Sequence, residues 1–178
     1  MKKANMGCGP IYMDGWVNVD ISKEHKTDVC GDILQIHFGE NIFDAILSTH
    51  SLEHFRFPDD TVECLSRFYR WLKPGGVLRI AVPDLELAVR AYVTTGDLKF
   101  LYSPDFKAYY HKDCKADRLN FFVKAWEHCV CFDYELLSSM FADAGFRNIQ
   151  KKQPNESLIH GFSHDRFISE SLYIEGIK

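Results

Sequence analysis

The sequence predicts an open, mainly parallel α/β sheet, and three observations carry that expectation. Strand-like and helix-like segments alternate along most of the 178 residues, the pattern of parallel strands joined by helical crossovers. A glycine turn, Asn5-Met6-Gly7-Cys8-Gly9-Pro10, separates a short first strand from a second, Trp16 to Ile21, with an acid, Asp20, near its tip. An apolar run, Val77 to Val82, is closed by Pro83 and followed by Asp84, a residue type that caps helices. Glycines let a backbone approach a ligand closely, and an acid at the second strand's tip can accept bonds from ribose hydroxyls. The layout therefore suits a nucleotide-like ligand lying across the carboxyl ends of the strands.

The remaining elements follow in order. Asp28-Val29-Cys30 reads as a short third strand, and Phe43 to Leu47 as a fourth running into Ser48-Thr49-His50. Val62, Leu65, Phe68, Tyr69 and Leu72 recur at helical spacing, between a Pro58-Asp59-Asp60 start and a Lys73-Pro74-Gly75-Gly76 stop. Asp84 then caps a helix with Leu85, Ala88, Val89, Tyr92 and Val93 as its apolar face, ending near Gly96. Residues 97–132 break the rhythm. They are rich in Tyr, Phe, His and Lys, with one helical stretch at Leu119, Phe122, Val123 and Trp126. We read them as a lid inserted into a single domain spanning 1–178. Asp133 caps the next helix, with Leu137, Met140, Phe141 and Ala144 inside and Gly145 as terminator. Phe146 to Lys152 and Leu172 to Ile177 supply the last strands, joined by a polar connection over 153–169.

Composition narrows the function classes. A net charge of −4 supplies no basic field, which disfavours nucleic acid and anionic membranes as partners. The best apolar run, Ile42 to Leu47, is broken by Asp44 and far too short to span a bilayer. Met1-Lys2-Lys3 is not followed by the apolar stretch of a secretory signal. Six cysteines without a CxxC pair read as reduced thiols, so a cytoplasmic protein is expected.

With Gly7-Cys8-Gly9, Asp20, Gly31-Asp32-Ile33, Phe43-Asp44-Ala45-Ile46, Ser51-Leu52-Glu53-His54 and Leu72-Lys73-Pro74-Gly75-Gly76 in this order, the chain resembles class I S-adenosylmethionine-dependent methyltransferases. The type 11 branch is the most similar in appearance. The likeness covers about residues 4–84, and more loosely Phe132 to Phe146. It implies a Rossmann-like seven-stranded sheet with helices on both faces and one antiparallel edge strand, here Leu172 to Ile177. It also implies S-adenosylmethionine as cofactor and S-adenosylhomocysteine as product. Gly7, Cys8 and Gly9 would lie under the methionine part, Asp20 would bind the ribose, and Ile21 would pack on adenine. Asp32 would accept from the adenine amino group beside the Ile33 backbone, and Ser48 to Ser51, with Thr49 and His50 among them, would border the sulfonium. Two departures stand out. Thirteen positions separate Gly7 from Asp20, against roughly 20 in dinucleotide folds, which leaves little room for a first helix. The sequence also reaches strand one without the helices that cover the cofactor in many relatives.

The expected reaction is methyl transfer to a small-molecule or glycan-like acceptor, by a lone chain or a homodimer. His50, His54 and His128 are the candidate bases, because histidine titrates near neutral pH. His50-Ser51-Leu52-Glu53-His54 also spells the H-x-x-E-H of inverted zinc hydrolases, with Glu127 a conceivable third ligand. That site needs both histidines on a sustained helix, which Pro58 forbids, so no metal is expected. A non-catalytic relative that binds the cofactor or its product is the main alternative. A nicotinamide-dependent oxidoreductase is disfavoured by the incomplete G-x-G-x-x-G.

Overall fold

The computed structural model describes residues 1–95, 112 and 114–178. Seven strands form one sheet in the order β3-β2-β1-β4-β5-β7-β6. They are β1 (Lys3–Met6), β2 (Trp16–Asp20), β3 (Val29–Cys30), β4 (Phe43–Thr49), β5 (Leu72–Pro83), β6 (Arg147–Lys152) and β7 (Ser171–Ile177). β1 pairs in parallel with both β2 and β4, and β4 with β5. The antiparallel strand is β7, as expected, at the far side of the sheet with β6 outside it. Strand order reverses at β1, whose two neighbours lead away in opposite directions. That reversal opens a crevice above the carboxyl ends of β1 and β4, where ligands settle in open α/β sheets.

One face is covered by helices. α1 (Asp59–Trp71) and α4 (Tyr134–Asp143) bury Leu65, Phe68, Leu137 and Phe141 against Ile46, Leu78, Ile80 and Ile174. α1 turns in Thr61, Cys64, Leu65, Phe68 and Trp71, whereas Val62 is 48% exposed, so the stripe lies one residue from the expected one. The helix also stops at Trp71, and Leu72 belongs to β5. Residues 73–76 loop out where the register jumps from Phe43–Leu72 to Ala45–Val77. α4 matches its expected caps: the Asp133 side chain accepts from Leu136 N–H at 2.8 Å, and Gly145 follows at φ 101°.

On the other face the irregular connection between β6 and β7 contributes to the cover. Trp16, Ala45, Leu47 and Val77 pack there against Ile159 and Phe162 of that polar connection. The short spans after β1 and β2 leave no length for crossover helices there. Arg79 fixes that connection. Fully buried, it donates to Asp165 through Nε at 3.0 Å and to Glu175 through Nη1 at 2.8 Å, between the rings of Phe162 and Tyr173.

α2 (Leu85–Thr94) is capped by Asp84, which accepts from Leu87 N–H at 3.1 Å. Of its expected apolar face only Ala88 is fully buried; Val89 and Val93 are exposed. Ala88 packs with Phe122 of α3 (Lys115–Lys124). Trp126 lies beyond α3 at φ 52°, so it is not part of that helix. Gly96, Tyr109, Tyr110, His111 and most of the expected lid's first half lie outside the described residues. No helix among the described residues is long and apolar enough to cross a membrane.

Candidate active site

The chain leaves β1 through two left-handed glycines, Gly7 at φ 67° and Gly9 at φ 53°. A Cβ on Gly7 would lie 2.3 Å from Ser51 Oγ, so the turn and the segment after β4 touch only because Gly7 has no side chain. Cys8 N–H donates to Val19 O at 2.9 Å, and Gly9 N–H to Asp20 Oδ2 at 2.7 Å. Asp20 Oδ1 accepts from Ser22 N–H at 2.8 Å. Each carboxylate oxygen thus holds one backbone amide and retains a further lone pair. Asp32 accepts from Leu34 N–H at 2.8 Å and from the Gln35 amide at 3.2 Å, which makes it the cap of a turn.

Gly7, Gly9, Asp20, Ile21, Asp32, Ile33 and His50 line one cavity of about 340 Å³. Ser51 and Phe55, from the segment after β4, complete its wall. The volume is of the size that small-molecule sites occupy, and a crevice floored by side-chain-free backbone with an acid at its rim fits a nucleoside-bearing ligand. Cys8 and Thr49 belong elsewhere. They line a neighbouring cavity of about 190 Å³ with Asn5, Met13 and Arg166. Burial, with Asp20 nearby, pushes the Cys8 thiol up to about 11, so it is a packed, protonated group.

A larger cavity of about 550 Å³ adjoins the first across His50 and His54, which line both. Glu53, Phe122, Trp126, His128, Phe167 and Glu170 contribute to it. All three histidines proposed from sequence therefore meet here. His128 arrives from far along the chain because Cys129 N–H donates to Glu53 O at 2.8 Å and Leu85 N–H to Phe132 O at 2.9 Å. Left-handed Trp126 and Glu127 make the sharp bend before it. Phe167 and Glu170 carry no sequence signal, since they come from the irregular connection that only tertiary packing brings to the crevice.

The hydrogen bonds fix the tautomers of His50 and His128. Ser171 Oγ gives its single proton to Phe167 O at 2.9 Å, so it accepts from His50 Nε2 at 2.7 Å. His50 Nδ1 is then the lone-pair nitrogen, 3.9 Å from Glu53 Oε1. His128 Nδ1 donates to Phe122 O at 3.1 Å, and the Trp126 backbone favours the charged form of His54. Burial, aided by His128 and His54, lowers His50 to about 4; burial also lowers His54 and His128, against the pull of those backbone groups. Glu53 is 1% exposed and is pushed up to about 8 by burial. Neither of its carboxyl oxygens has a hydrogen-bond partner among the described residues. The site thus presents three neutral imidazoles and a buried acid beside an apolar, aromatic wall.

Residues 12–80 match a family model described as a methyltransferase domain. No curated protein matches the chain by sequence. Among solved structures, the fold is similar to that of a SAM-dependent methyltransferase from Archaeoglobus fulgidus. The TM-score is 0.66 at 16% identity, over 99% of this chain and 86% of that one. A possible histamine N-methyltransferase from Thermotoga maritima aligns with TM-score 0.59 and 19% identity, over 99% of this chain and 82% of that one. Phosphoethanolamine N-methyltransferase 2 of Haemonchus contortus, solved in complex with S-adenosyl-L-methionine, aligns with TM-score 0.54 and 18% identity, over 99% of this chain and 48% of that one. The family match over β2 to β5 and the shared fold together support a class I S-adenosylmethionine-dependent methyltransferase of type 11-like kind.

Proposed function

We propose that the protein transfers a methyl group from S-adenosylmethionine, held in the 340 Å³ cavity, to a small-molecule or glycan-like acceptor in the 550 Å³ cavity. The observation that supports this reading most is the shared wall: two cavities of different character meet at His50 and His54, over the strand-order reversal. When bound, the cofactor supplies a methyl activated by a positively charged sulfur. The chain's residues do the rest. Gly7 and Gly9 open the floor, and Asp20 uses its remaining lone pairs on the ribose hydroxyls. Asp32, tied up in part by its own turn, offers what is left to the adenine side. Phe122, Trp126 and Phe167 give the acceptor side an apolar wall for a bound acceptor to cover. His50, His54 and His128, neutral with one lone pair each, are candidates to take a proton from a hydroxyl or amine acceptor.

Titration calorimetry tests the reading. S-adenosylmethionine and S-adenosylhomocysteine are expected to bind one per chain, and NAD not at all. Asp20→Ala should weaken both by tenfold or more, since hydrogen bonds to a charged group contribute about 1.5–3 kcal/mol each. Unchanged affinity in a folded Asp20→Ala variant would take Asp20 out of the site, and NAD binding in place of the methyl donor would overturn the function.

The reading extends to residues 97–132 as a lid. Their described end supplies Phe121, Phe122, Trp126 and His128 to the acceptor cavity. S-adenosylhomocysteine with acceptor should slow amide exchange there as well as around Gly7 and Asp20. Protection confined to the glycine turn would make this segment a surface for a partner instead.

A further inference from the structure

We propose that Glu53, His54 and His128 form a three-ligand site for a divalent transition ion with zinc's preferences, opening onto the acceptor cavity. One donor atom from each residue lies within 4.8 Å of the others. Two imidazoles and one carboxylate are the donor set of catalytic zinc sites that keep an open position. An ion with bonds of 2.0–2.2 Å holds its ligand atoms about 3.4 Å apart, so the donor atoms need close by no more than about 1.4 Å when it binds.

Two further observations point to an ion. Glu53 is 1% exposed, yet both its oxygens lack a hydrogen-bond partner among the described residues. A buried carboxyl group left so costs several kcal/mol, and a bound cation supplies the missing partner. Meanwhile His128 has its Nδ1 engaged by the backbone at Phe122 O. That is the arrangement that fixes ring orientation and tautomer in metal-ligating histidines, leaving the second nitrogen to coordinate.

The set differs from the one the sequence raised and rejected. There the pair was His50 and His54 on a helix. Here Leu52–His54 is a single 3₁₀ turn, and His50 is committed to Ser171 and stacked on Phe167 at 4.3 Å. The partner of His54 is His128, whose ring centroid is 5.0 Å away. No helix is needed, because the two segments are tied by the bond from Cys129 N–H to Glu53 O. On the methyl-transfer reading, the ion's open position takes an oxygen or nitrogen of the acceptor. His54 and His128 then act in coordination rather than as proton acceptors.

The test uses the full chain, stripped with chelator and titrated with Zn²⁺ and with Co²⁺ alone. One ion per chain is expected, with the intense visible bands of low-coordinate cobalt. Glu53→Gln and His128→Ala should each lower affinity at least about 100-fold, while His50→Ala keeps one ion per chain. Circular dichroism and thermal melting show that the variants are folded, and S-adenosylhomocysteine titration of the unsubstituted protein tests the cofactor reading separately. Less than half an ion per chain, octahedral cobalt spectra, or affinity unmoved by His128→Ala would each overturn the site. Loss of the ion in His50→Ala would also overturn this ligand set.

Discussion

Arg79→Met is expected to destabilise the protein by about 3–5 kcal/mol, the cost of stranding buried charges when one partner is removed. Arg79 and the side chains of Asp165 and Glu175 are all fully buried, so neither carboxylate can turn to water once the guanidinium is gone. Glu175 would retain Ser157 Oγ and Leu158 N–H as donors, and Asp165 would retain Asn155 N–H. Amides cannot replace a full positive charge. Methionine keeps the bulk between Phe162 and Tyr173, so the loss reads as charge rather than cavity. Thermal melting should show a fall of roughly 6–20 °C for a chain of this size. Adding Asp165→Asn and Glu175→Gln should restore much of it, because the stranded charges are then removed as well. A loss under about 1 kcal/mol in Arg79→Met alone would refute the account. The effect should reach the site. Asp165 anchors the connection that carries Phe167 and Glu170 to the 550 Å³ cavity, so hydrogen exchange over 155–170 should quicken before the sheet opens.

The second large effect is expected at Gly7. Gly7→Ala adds a Cβ 2.3 Å from Ser51 Oγ and 2.6 Å from Ser51 Cβ, on a backbone at φ 67°. The left-handed conformation costs a non-glycine residue about 1–2 kcal/mol, and forced overpacking about 1–3 kcal/mol more. The chain can escape only by moving the glycine turn or the segment after β4, and both line the 340 Å³ cavity proposed for the cofactor. S-adenosylhomocysteine affinity should therefore fall by about thirtyfold or more. Gly9→Ala is the control: φ is 53°, but nothing lies within 4 Å of its Cβ, so it carries the backbone cost alone. Ser51→Gly in the Gly7→Ala background should recover the difference. Equal losses in Gly7→Ala and Gly9→Ala would show that the Ser51 contact has no part in binding.

Local rules made much of the fold legible. The caps at Asp84 and Asp133, the terminator Gly145 and the apolar runs of β4 and β5 act over a few residues, and they stand where the sequence places them. The glycine turn followed by an acid was legible for the same reason: φ above zero and a strand-tip carboxylate are local properties. Errors arose where two surfaces compete for one segment. Leu72 fits a helix stripe and a buried strand equally well, and its pairing with Phe43 decides for the strand. Val62 and Thr61 are neighbours on one helix, and only its tilt against the sheet selects which is buried.

By itself, then, the sequence determined the parallel α/β class, the caps and the glycine turn after β1, because propensity, periodicity and backbone permissiveness are encoded in short windows. Tertiary structure alone decided that His128 stands beside His54 and that Glu53 is buried without a hydrogen-bond partner. It alone decided that an irregular connection held on Arg79 contributes to the cover of the second face. Those are contacts between distant segments, and they depend on which closures bury most surface and satisfy most charge, a sum over the whole chain that no window contains.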